Sequence, residues 1–396
     1  MNDEFSVAAC WQGRFDETAL QQWAGKLLAG LDGKPVSLGL VFMSPDFFPY
    51  ASQVLEILRV HAHIPLLAGC SSSGLICGDQ ELEGASGIAL ALYSLPGAKL
   101  KGVRFTEAQA QEADGATYWH HQTGVGPTET NGWLTFIDPY HFMELENWLR
   151  SWNTSYSSHP LYGGRASGNN QEQLTQIYLD GEVYEDGGVA ISVGGDVKLT
   201  GVVSQGCTPI GDTWTLTRVD HNLIQQIANR PAYTVLAETF QKLPLAEQQK
   251  ARGNLLIGLV MNEYLENYHR GDFLVRTLIG GDPSSGILAV GALPRPGQTI
   301  QFQRRDAVAA SEDLREMLGR ERDHLGGAPI YGGCLCCCNG RGKNLFGRAN
   351  HDAGMVQQEL GSMGLAGFFC NGEIGPVSGK NYLHSYTASL ALFVKK

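Results

Sequence analysis

The stretch that decides the fold is residues 36–74, which read VSLGLVFMSPDFFPYASQVLEILRVHAHIPLLAGCSSSG. Its first part, 36–43, is an apolar run with β-branched residues, a pattern typical of a buried strand. Residues 50–61 place their apolar side chains on one face of a helix, and 64–68 form a second short apolar run. This order predicts a β-α-β crossover that buries one helix face on a sheet.

The same pattern returns twice along the chain. The second copy has a strand at 132–137, a helix at about 140–150 and a strand at 159–162, and the third has 329–338, about 351–361 and 364–366. Each copy then continues through G-x4-G to a returning apolar strand, at 86–94, 187–194 and 386–394. The interval from Pro45 to Gly69 equals that from Pro139 to Gly163, at 24 residues. We therefore expect Gly69, Gly163 and Gly367 to be structurally equivalent.

Further segments with alternating apolar residues predict antiparallel strands. They are 98–106, 173–180, 196–205, 273–279, 286–292 and 299–303. Two helices are expected at about 219–229 and 231–241, because the proline of Arg230-Pro231 can end one helix and open the next. The sequence thus predicts an α+β (mixed α/β) fold. It has two similar halves with mixed β-sheets flanked by helices, 1–218 and 219–396, built from a repeated β-α-β-loop-β unit.

The composition of the 396 residues argues against several classes of protein. Lys and Arg number 29 and Asp and Glu 40, and the net charge of −11 argues against a nucleic-acid partner. No segment approaches the ~18 apolar residues of a membrane span, so no membrane association is expected. The first ten residues, MNDEFSVAAC, lack the pattern of a signal peptide. Together with an odd number of cysteines, nine, this predicts a cytoplasmic protein whose cysteines are all reduced.

The G-x4-G loops do not carry the signature of nucleotide binding. A phosphate-binding loop needs a lysine after its second glycine, whereas Leu75, Asn169 and Glu373 occupy that place in the three copies. The glycines are better explained by tight exits from the strands. No cofactor is indicated by these loops.

The closely spaced cysteines Cys334, Cys336, Cys337 and Cys338 resemble a metal site at first sight. They lie in a predicted strand, however, where neighbouring residues point to opposite faces and residues on one face are ~6.6 Å apart. That geometry suits a tetrahedral metal poorly. We expect neither a metal nor a disulfide among these four cysteines.

Arg341 and Glu373 form the most distinctive pair of polar residues. Each follows a strand of the third copy, and the exits of parallel strands lie at the sheet end where ligands bind. Arginine can hold a carboxylate and glutamate an ammonium group, as an amino acid requires, although a purely structural salt bridge is the alternative. Arg276 is unusual inside an apolar strand, and a charge there needs a partner or a wet cleft. The predicted ligand-binding residues are Arg341, Glu373, Cys338, Asn371, Arg276, Gly340, Gly342 and Gly372.

Cys207 follows a predicted strand within a loop marked by glycine and proline. A nucleophilic cysteine needs a base, and the histidine closest in sequence is His221. A structural turn is the alternative to a catalytic role.

Taken together, the motifs resemble the FIST family, with a FIST N domain followed by a FIST C domain. The resemblance covers about residues 30–390. The motifs that carry it are AGCSSSG (68–74), VSQGCTPIG (203–211), FLVR (273–276), QFQRRDA (301–307), CNGRG (338–342) and GFFCNGEIGP (367–376). The resemblance implies an intracellular sensory module that binds small ligands such as amino acids.

The leading functional hypothesis is therefore a non-catalytic sensory protein with a small-molecule ligand. Only about 30 residues precede the first copy, too few for an F-box, receiver or kinase module, so we expect a signalling partner in trans. The alternatives are a hydrolase or amidotransferase-like enzyme that uses Cys207 or Cys338, and a protein-interaction scaffold.

Overall fold

The computed structural model describes residues 5–169 and 171–396, and it divides them into two compact units. The first unit contains the described residues up to Val203, together with Arg315–Leu383 and Thr387–Lys396. The second contains Ser204–Leu314 and His384–Tyr386. The second unit is thus inserted into the chain of the first. No helix in the described part of the chain has the length and apolar character that crossing a lipid bilayer requires.

The first unit consists of three copies of one motif. Its first copy comprises β1 (Ser6–Gln12), α1 (Glu17–Ala29), β2 (Leu38–Met43), a 3-10 helix (Pro45–Tyr50), α2 (Ala51–His61), β3 (Leu67–Ser71), β4 (Gly74–Cys77), β5 (Gln80–Glu83) and β6 (Gly87–Tyr93). The second comprises β7 (Ala98–Phe105), α3 (Glu107–Glu112), α4 (Tyr118–Thr123), β8 (Trp133–Ile137), α5 (Leu145–Ser155), β9 (Leu161–Arg165), β10 (Ile177–Leu179), β11 (Glu182–Tyr184) and β12 (Gly188–Gly195).

The third copy is interrupted by the second unit. It begins with β13 (Val197–Ser204) and resumes with α8 (Ala307–Leu325), β21 (Ile330–Cys338), α9 (Lys343–Phe346), α10 (His351–Leu360), β22 (Leu365–Cys370), β23 (Glu373–Val377), β24 (Lys380–His384) and β25 (Ala388–Lys395). The interruption begins at the last residue of β13 and ends within α8, of which only the part from Arg315 onward belongs to the first unit.

Each copy contributes to a six-stranded mixed sheet, and each sheet is completed by a hairpin from another copy. The first sheet has the order β1-β6-β2-β3-β10-β11, the second β7-β12-β8-β9-β23-β24 and the third β13-β25-β21-β22-β4-β5. In each, two strands of the same copy run parallel at the centre. The hairpin of the first copy joins the third sheet, that of the second joins the first, and that of the third joins the second. The three copies therefore form a closed ring.

The three glycines expected to be equivalent occupy the same setting. Gly69, Gly163 and Gly367 each pair with the central residue of the neighbouring parallel strand. A Cβ atom at these positions would lie 1.7 Å from the carbonyl oxygen of Val41, 1.9 Å from that of Thr135 and 1.9 Å from that of Leu335, respectively. No side chain fits at such a distance, so glycine is required at this point of every copy. The predicted equivalence is confirmed.

The core of the ring lies where the three sheets meet. Phe42, Phe136 and Phe368 come from the three copies, and their ring centroids are 4.7–5.7 Å apart. Phe42 and Phe136 lie on the first parallel strand of their copies, whereas Phe368 lies on the second parallel strand of its copy. In the third copy Cys336 holds the first-strand position and is small enough to leave room for Phe368. Helices cover the outer faces, where the apolar side of α2 packs on the first sheet.

The second unit has its own core and one seven-stranded sheet. It comprises β14 (Cys207–Asp220), β15 (Leu223–Ile227), β16 (Arg230–Pro231), α6 (Ala232–Gln241), α7 (Leu245–Ala251), β17 (Leu255–Val260), β18 (Phe273–Asp282), β19 (Ile287–Val290) and β20 (Thr299–Arg305). The strand order is β14-β20-β17-β18-β19-β15-β16. The predicted α+β class with mixed sheets and flanking helices is confirmed.

Two sequence-based expectations were wrong. The helix expected at 219–229 is the end of β14 and strand β15, because His221, Ala228 and Asn229 take positive φ and turn the chain back on itself. The cysteines are not all reduced, since Cys10 on β1 and Cys77 on β4 form a disulfide with a Cα–Cα distance of 5.9 Å. An odd number of cysteines does not prevent one pair from forming.

Candidate functional site

The carboxyl ends of the three parallel strand pairs are joined by hydrogen bonds among short polar side chains. The backbone N–H of Ser73 donates to the Ser167 hydroxyl at 2.9 Å. The Ser72 hydroxyl donates to the carbonyl of Phe369 at 2.9 Å, and the Ser167 hydroxyl donates to the same carbonyl. Strand ends from all three copies are therefore held together at one place.

Two asparagines extend these contacts. The Ser73 hydroxyl donates to Oδ1 of Asn339 at 3.0 Å, and Nδ2 of Asn339 donates to Oδ1 of Asn371 at 2.8 Å. Ser73 is exposed, whereas Asn339 and Asn371 are half-buried. We call Ser73, Ser167, Asn339 and Asn371 the strand-end cluster. It presents hydroxyl and amide groups to solvent, where a polar ligand could reach them.

Sequence reasoning singled out Asn371 of this cluster and missed the other three residues. A signal was nevertheless present, because Ser73, Ser167 and Asn371 each stand four residues after the equivalent glycine of their copy. Asn339 follows β21 directly, at the position that Pro45 and Pro139 occupy in the other copies. Alignment of the three copies would have placed all four at equivalent strand exits.

Arg341 is fully buried beside this cluster. Its Nε and Nη2 donate to the two carboxylate oxygens of Asp352, at 2.6 and 2.9 Å. Nδ1 of His351 lies 2.9 Å from the same carboxylate, and the imidazole stacks on Phe346. Burial alone would raise the pKa of Asp352, but the Arg341 charge and the hydrogen bonds hold it well below its ordinary value. Asp352 is therefore ionised and fixes the guanidinium.

Glu81, from the exchanged hairpin of the first copy, caps the helix that carries Asp352. Its carboxyl group accepts hydrogen bonds from the backbone N–H groups of His351, Asp352 and Ala353, at 3.2, 2.8 and 2.8 Å. Burial and the negative charge of Asp352 raise the pKa of Glu81 to about 7, although the backbone donors oppose this. Glu81 thus connects the exchanged hairpin to the segment that carries Arg341.

Glu373 begins β23 and is fully buried. One carboxyl oxygen lies 3.1 Å from Sγ of Cys370, and the other accepts from the backbone N–H of Thr387 at 3.0 Å. Burial raises the pKa of Glu373 to about 8, although its hydrogen bonds and the charge of Arg341 lower it in part. At neutral pH this carboxyl group is mostly protonated.

Cys338 ends β21 and is half-buried, and its side chain is hydrogen-bonded to Glu373. Its Sγ also accepts from the backbone N–H of Gly340 at 3.4 Å. Gly342, with φ of 60°, leaves room for the Glu83 carboxylate, which binds the N–H of Lys343. The segment 338–342 is therefore held from both sides.

The structure brings most of the predicted site residues into one region of the first unit. These are Arg341, Glu373, Cys338, Asn371, Gly340, Gly342 and Gly372. Arg276 lies on β18 of the second unit, where it is buried and donates to the carbonyl of Val275. Whether these residues bind a ligand stays a prediction. A cavity of about 610 Å³, lined by residues such as Lys34, Val36 and His63, contains none of these groups.

The cysteines with other predicted roles are also placed. Cys334, Cys336, Cys337 and Cys338 are all free thiols, which confirms that no disulfide forms among them. Cys207 lies at the start of β14 in the second unit, is buried, and has its Sγ 3.4 Å from the carbonyl of Gln205.

Comparison with known proteins identifies the family. The sequence profile of the FIST N domain matches residues 37–230, and that of the FIST C domain matches 232–376. The uncharacterized protein Rv0628c of Mycobacterium tuberculosis is 35% identical over 364 residues, covering 92% of this chain and 93% of the relative. The uncharacterized protein Mb0898c of Mycobacterium bovis is 34% identical over 385 residues, with 94% of each covered.

Among solved structures, that of a cyanuric acid hydrolase aligns with 99% of this chain and 100% of its own. The identity is 7% and the TM-score 0.33, too low to support an argument. The two domain profiles, by contrast, cover most of the chain in the predicted order. The chain belongs to the FIST family, whose domains are sensory modules of signal transduction.

Proposed function

We propose that this protein is a non-catalytic cytoplasmic sensor that binds a small polar ligand, such as an amino acid, at the strand-end cluster. The observation that carries the proposal is the convergence of strand exits from three copies on one set of hydroxyl and amide groups. Ligands of sheet proteins bind at the carboxyl ends of parallel strands, and such groups can orient a ligand through hydrogen bonds.

In this proposal the residues of the site act at two levels. A ligand first meets Ser73, Asn339 and Asn371, which are at least partly accessible. Arg341 and Glu373 are fully buried beneath these residues; Arg341 acts through its charge, and Glu373 does so only when it is ionised. A ligand carboxylate would be attracted by Arg341, although it would share that charge with Asp352. Signal output then passes to a partner protein in trans.

An amino-acid ligand places a further demand on the site. Its ammonium group would be held best by an ionised Glu373, whereas burial favours the protonated form up to a pH of about 8. The groups that bear on this carboxyl are Cys370, Thr387, Arg341 and Cys338. Amino-acid affinity is therefore expected to rise between pH 7 and pH 8.5, whereas the affinity of a ligand without an ammonium group is not.

The experiment begins with native mass spectrometry of the purified chain, to detect a small molecule that travels with it. Calorimetric titration then measures binding of single amino acids to wild type and to Asn371→Ala, with the exposed Ser157→Ala as the matched control. Losing a hydrogen bond to a charged group is worth ~1.5–3 kcal/mol, so Asn371→Ala should weaken binding about tenfold or more. Equal affinity in all three proteins would place the ligand elsewhere, and no binding of any amino acid would exclude this ligand class.

A further inference from the structure

Cys338 and Cys370 are direct neighbours across two parallel strands. Each is the last residue of its strand, β21 or β22, and the two are paired in the register. Neighbouring strands lie ~4.8 Å apart and paired residues point to the same face. Cα atoms at ~4.4–6.8 Å are compatible with a disulfide.

One carboxyl group contacts both thiols. The Cys370 thiol lies 3.1 Å from Oε1 of Glu373, and the Cys338 side chain is hydrogen-bonded to the same residue. Sγ of Cys338 also accepts from the Gly340 N–H at 3.4 Å. An N–H donor to sulfur favours a thiolate.

The two thiols differ in their access to solvent. Cys370 is fully buried, whereas Cys338 is half-buried and is the one free cysteine of residues 5–169 and 171–396 that is not fully enclosed. An oxidant arriving from solvent therefore meets Cys338 first, and Cys370 lies behind it as a second thiol. This is the arrangement of an attacking and a resolving cysteine.

We propose that Cys338 and Cys370 form a redox pair that a hydroperoxide oxidises to a disulfide. This activity is separate from ligand sensing and does not depend on it. The Cys338 thiol gives its proton to solvent, and the thiolate attacks one oxygen of hydrogen peroxide. The O–O bond breaks, and the leaving hydroxide takes a proton from solvent and departs as water, which leaves a sulfenic acid on Cys338.

The second step closes the pair. The Cys370 sulfur attacks the Cys338 sulfur, the S–O bond breaks, and the hydroxyl leaves with the Cys370 proton as a second water. Each sulfur gives up one electron, and the two peroxide oxygens receive both. The disulfide removes both thiol contacts of Glu373, so oxidation alters the surroundings of a buried carboxyl beside the strand-end cluster.

The test uses the full chain and hydrogen peroxide as the probe. The untreated protein has seven free thiols and the Cys10–Cys77 disulfide, which provides an internal reference. After treatment, removal of peroxide and alkylation in denaturant, the free thiols should number five. Tandem mass spectrometry should locate the new link between Cys338 and Cys370.

Variants separate this pair from general oxidation. Cys338→Ser should keep its remaining thiols, whereas Cys370→Ser should stop at a Cys338 sulfenic acid that dimedone traps. Cys207→Ser, which removes a buried thiol of the second unit, should still form the link. The proposal is overturned if wild type keeps seven thiols, if the new link joins other cysteines, or if Cys338→Ser loses thiols as wild type does. The position of the new link in the wild-type peptide map tests the proposal even if Cys370→Ser fails to fold.

Discussion

Replacing Glu373 by glutamine should change how the stability of the protein depends on pH. Glutamine keeps the shape of a protonated carboxyl group, and its oxygen can still accept from the Thr387 N–H, but it cannot ionise. The pKa of Glu373 rises from 4.5 to about 8 on folding. Because each pKa unit corresponds to ~1.36 kcal/mol, ionising this group in the folded chain costs about 5 kcal/mol.

The sign follows from the raised pKa. The folded state holds the proton more tightly than the unfolded state, so the stabilisation is fully present below pH 4.5 and is lost as the pH rises through 8. Between pH 5 and pH 9 wild type should lose about 4 kcal/mol of unfolding free energy relative to Glu373→Gln. Glu81 titrates in the same direction, but it does so in both proteins and cancels in the difference.

Urea unfolding at several pH values measures this difference. Tryptophan fluorescence is a suitable signal, because Trp214 lies in the second unit and the other six tryptophans lie in the first. Glu56→Gln, an exposed carboxylate on α2, is the matched control and should follow wild type. If wild type and Glu373→Gln differ by a constant amount from pH 5 to pH 9, Glu373 is not protonated in the folded protein and the reasoning fails.

Three further predictions concern the ring and its site. Gly163→Ala should lower the unfolding free energy by about 3 kcal/mol or more, because its Cβ would overlap a strand carbonyl. Gly25→Ala, in the open part of α1, should be neutral or slightly stabilising. Thermal and urea unfolding measure both changes. Arg341→Met should cost about 3–5 kcal/mol by stranding the Asp352 charge, and adding Asp352→Asn should recover part of that loss; no recovery would contradict a paired role. Calorimetric titration at pH 7 and pH 8.5 should show tighter amino-acid binding at the higher pH in wild type, and no such change in Glu373→Gln.

Much of the ring could be predicted from sequence because its strongest features are local. Helix α2 was expected at 50–61 and spans Ala51–His61, since its apolar residues repeat with the helical period. The equivalence of Gly69, Gly163 and Gly367 followed from spacing alone. The pairing of Arg341 with Asp352 could not be predicted in this way, because it depends on a loop that brings back a residue eleven positions further along the chain.

The second unit was hidden for a different reason. It begins after β13 without a change in composition or a linker, so the sequence shows no boundary at the point where the third copy is interrupted. The turn at Ala228 and Asn229 was missed as well, because the apolar residues around it also fit a helical period. Positive φ angles at both turn residues produce a hairpin turn. An alanine at the first of these positions gives little indication of such a turn in the sequence.

The exchange of hairpins has a consequence for any single copy of the repeat. A chain comprising residues 98–195 alone would present its β10–β11 hairpin without an acceptor sheet, and its own sheet would end at the open edge of β9. Three such chains could each donate a hairpin to the sheet of the next chain and so form a homotrimer. This homotrimer would be a closed ring like the one that a single polypeptide forms here. Because one chain carries all three copies here, each copy can hold different residues at the shared centre.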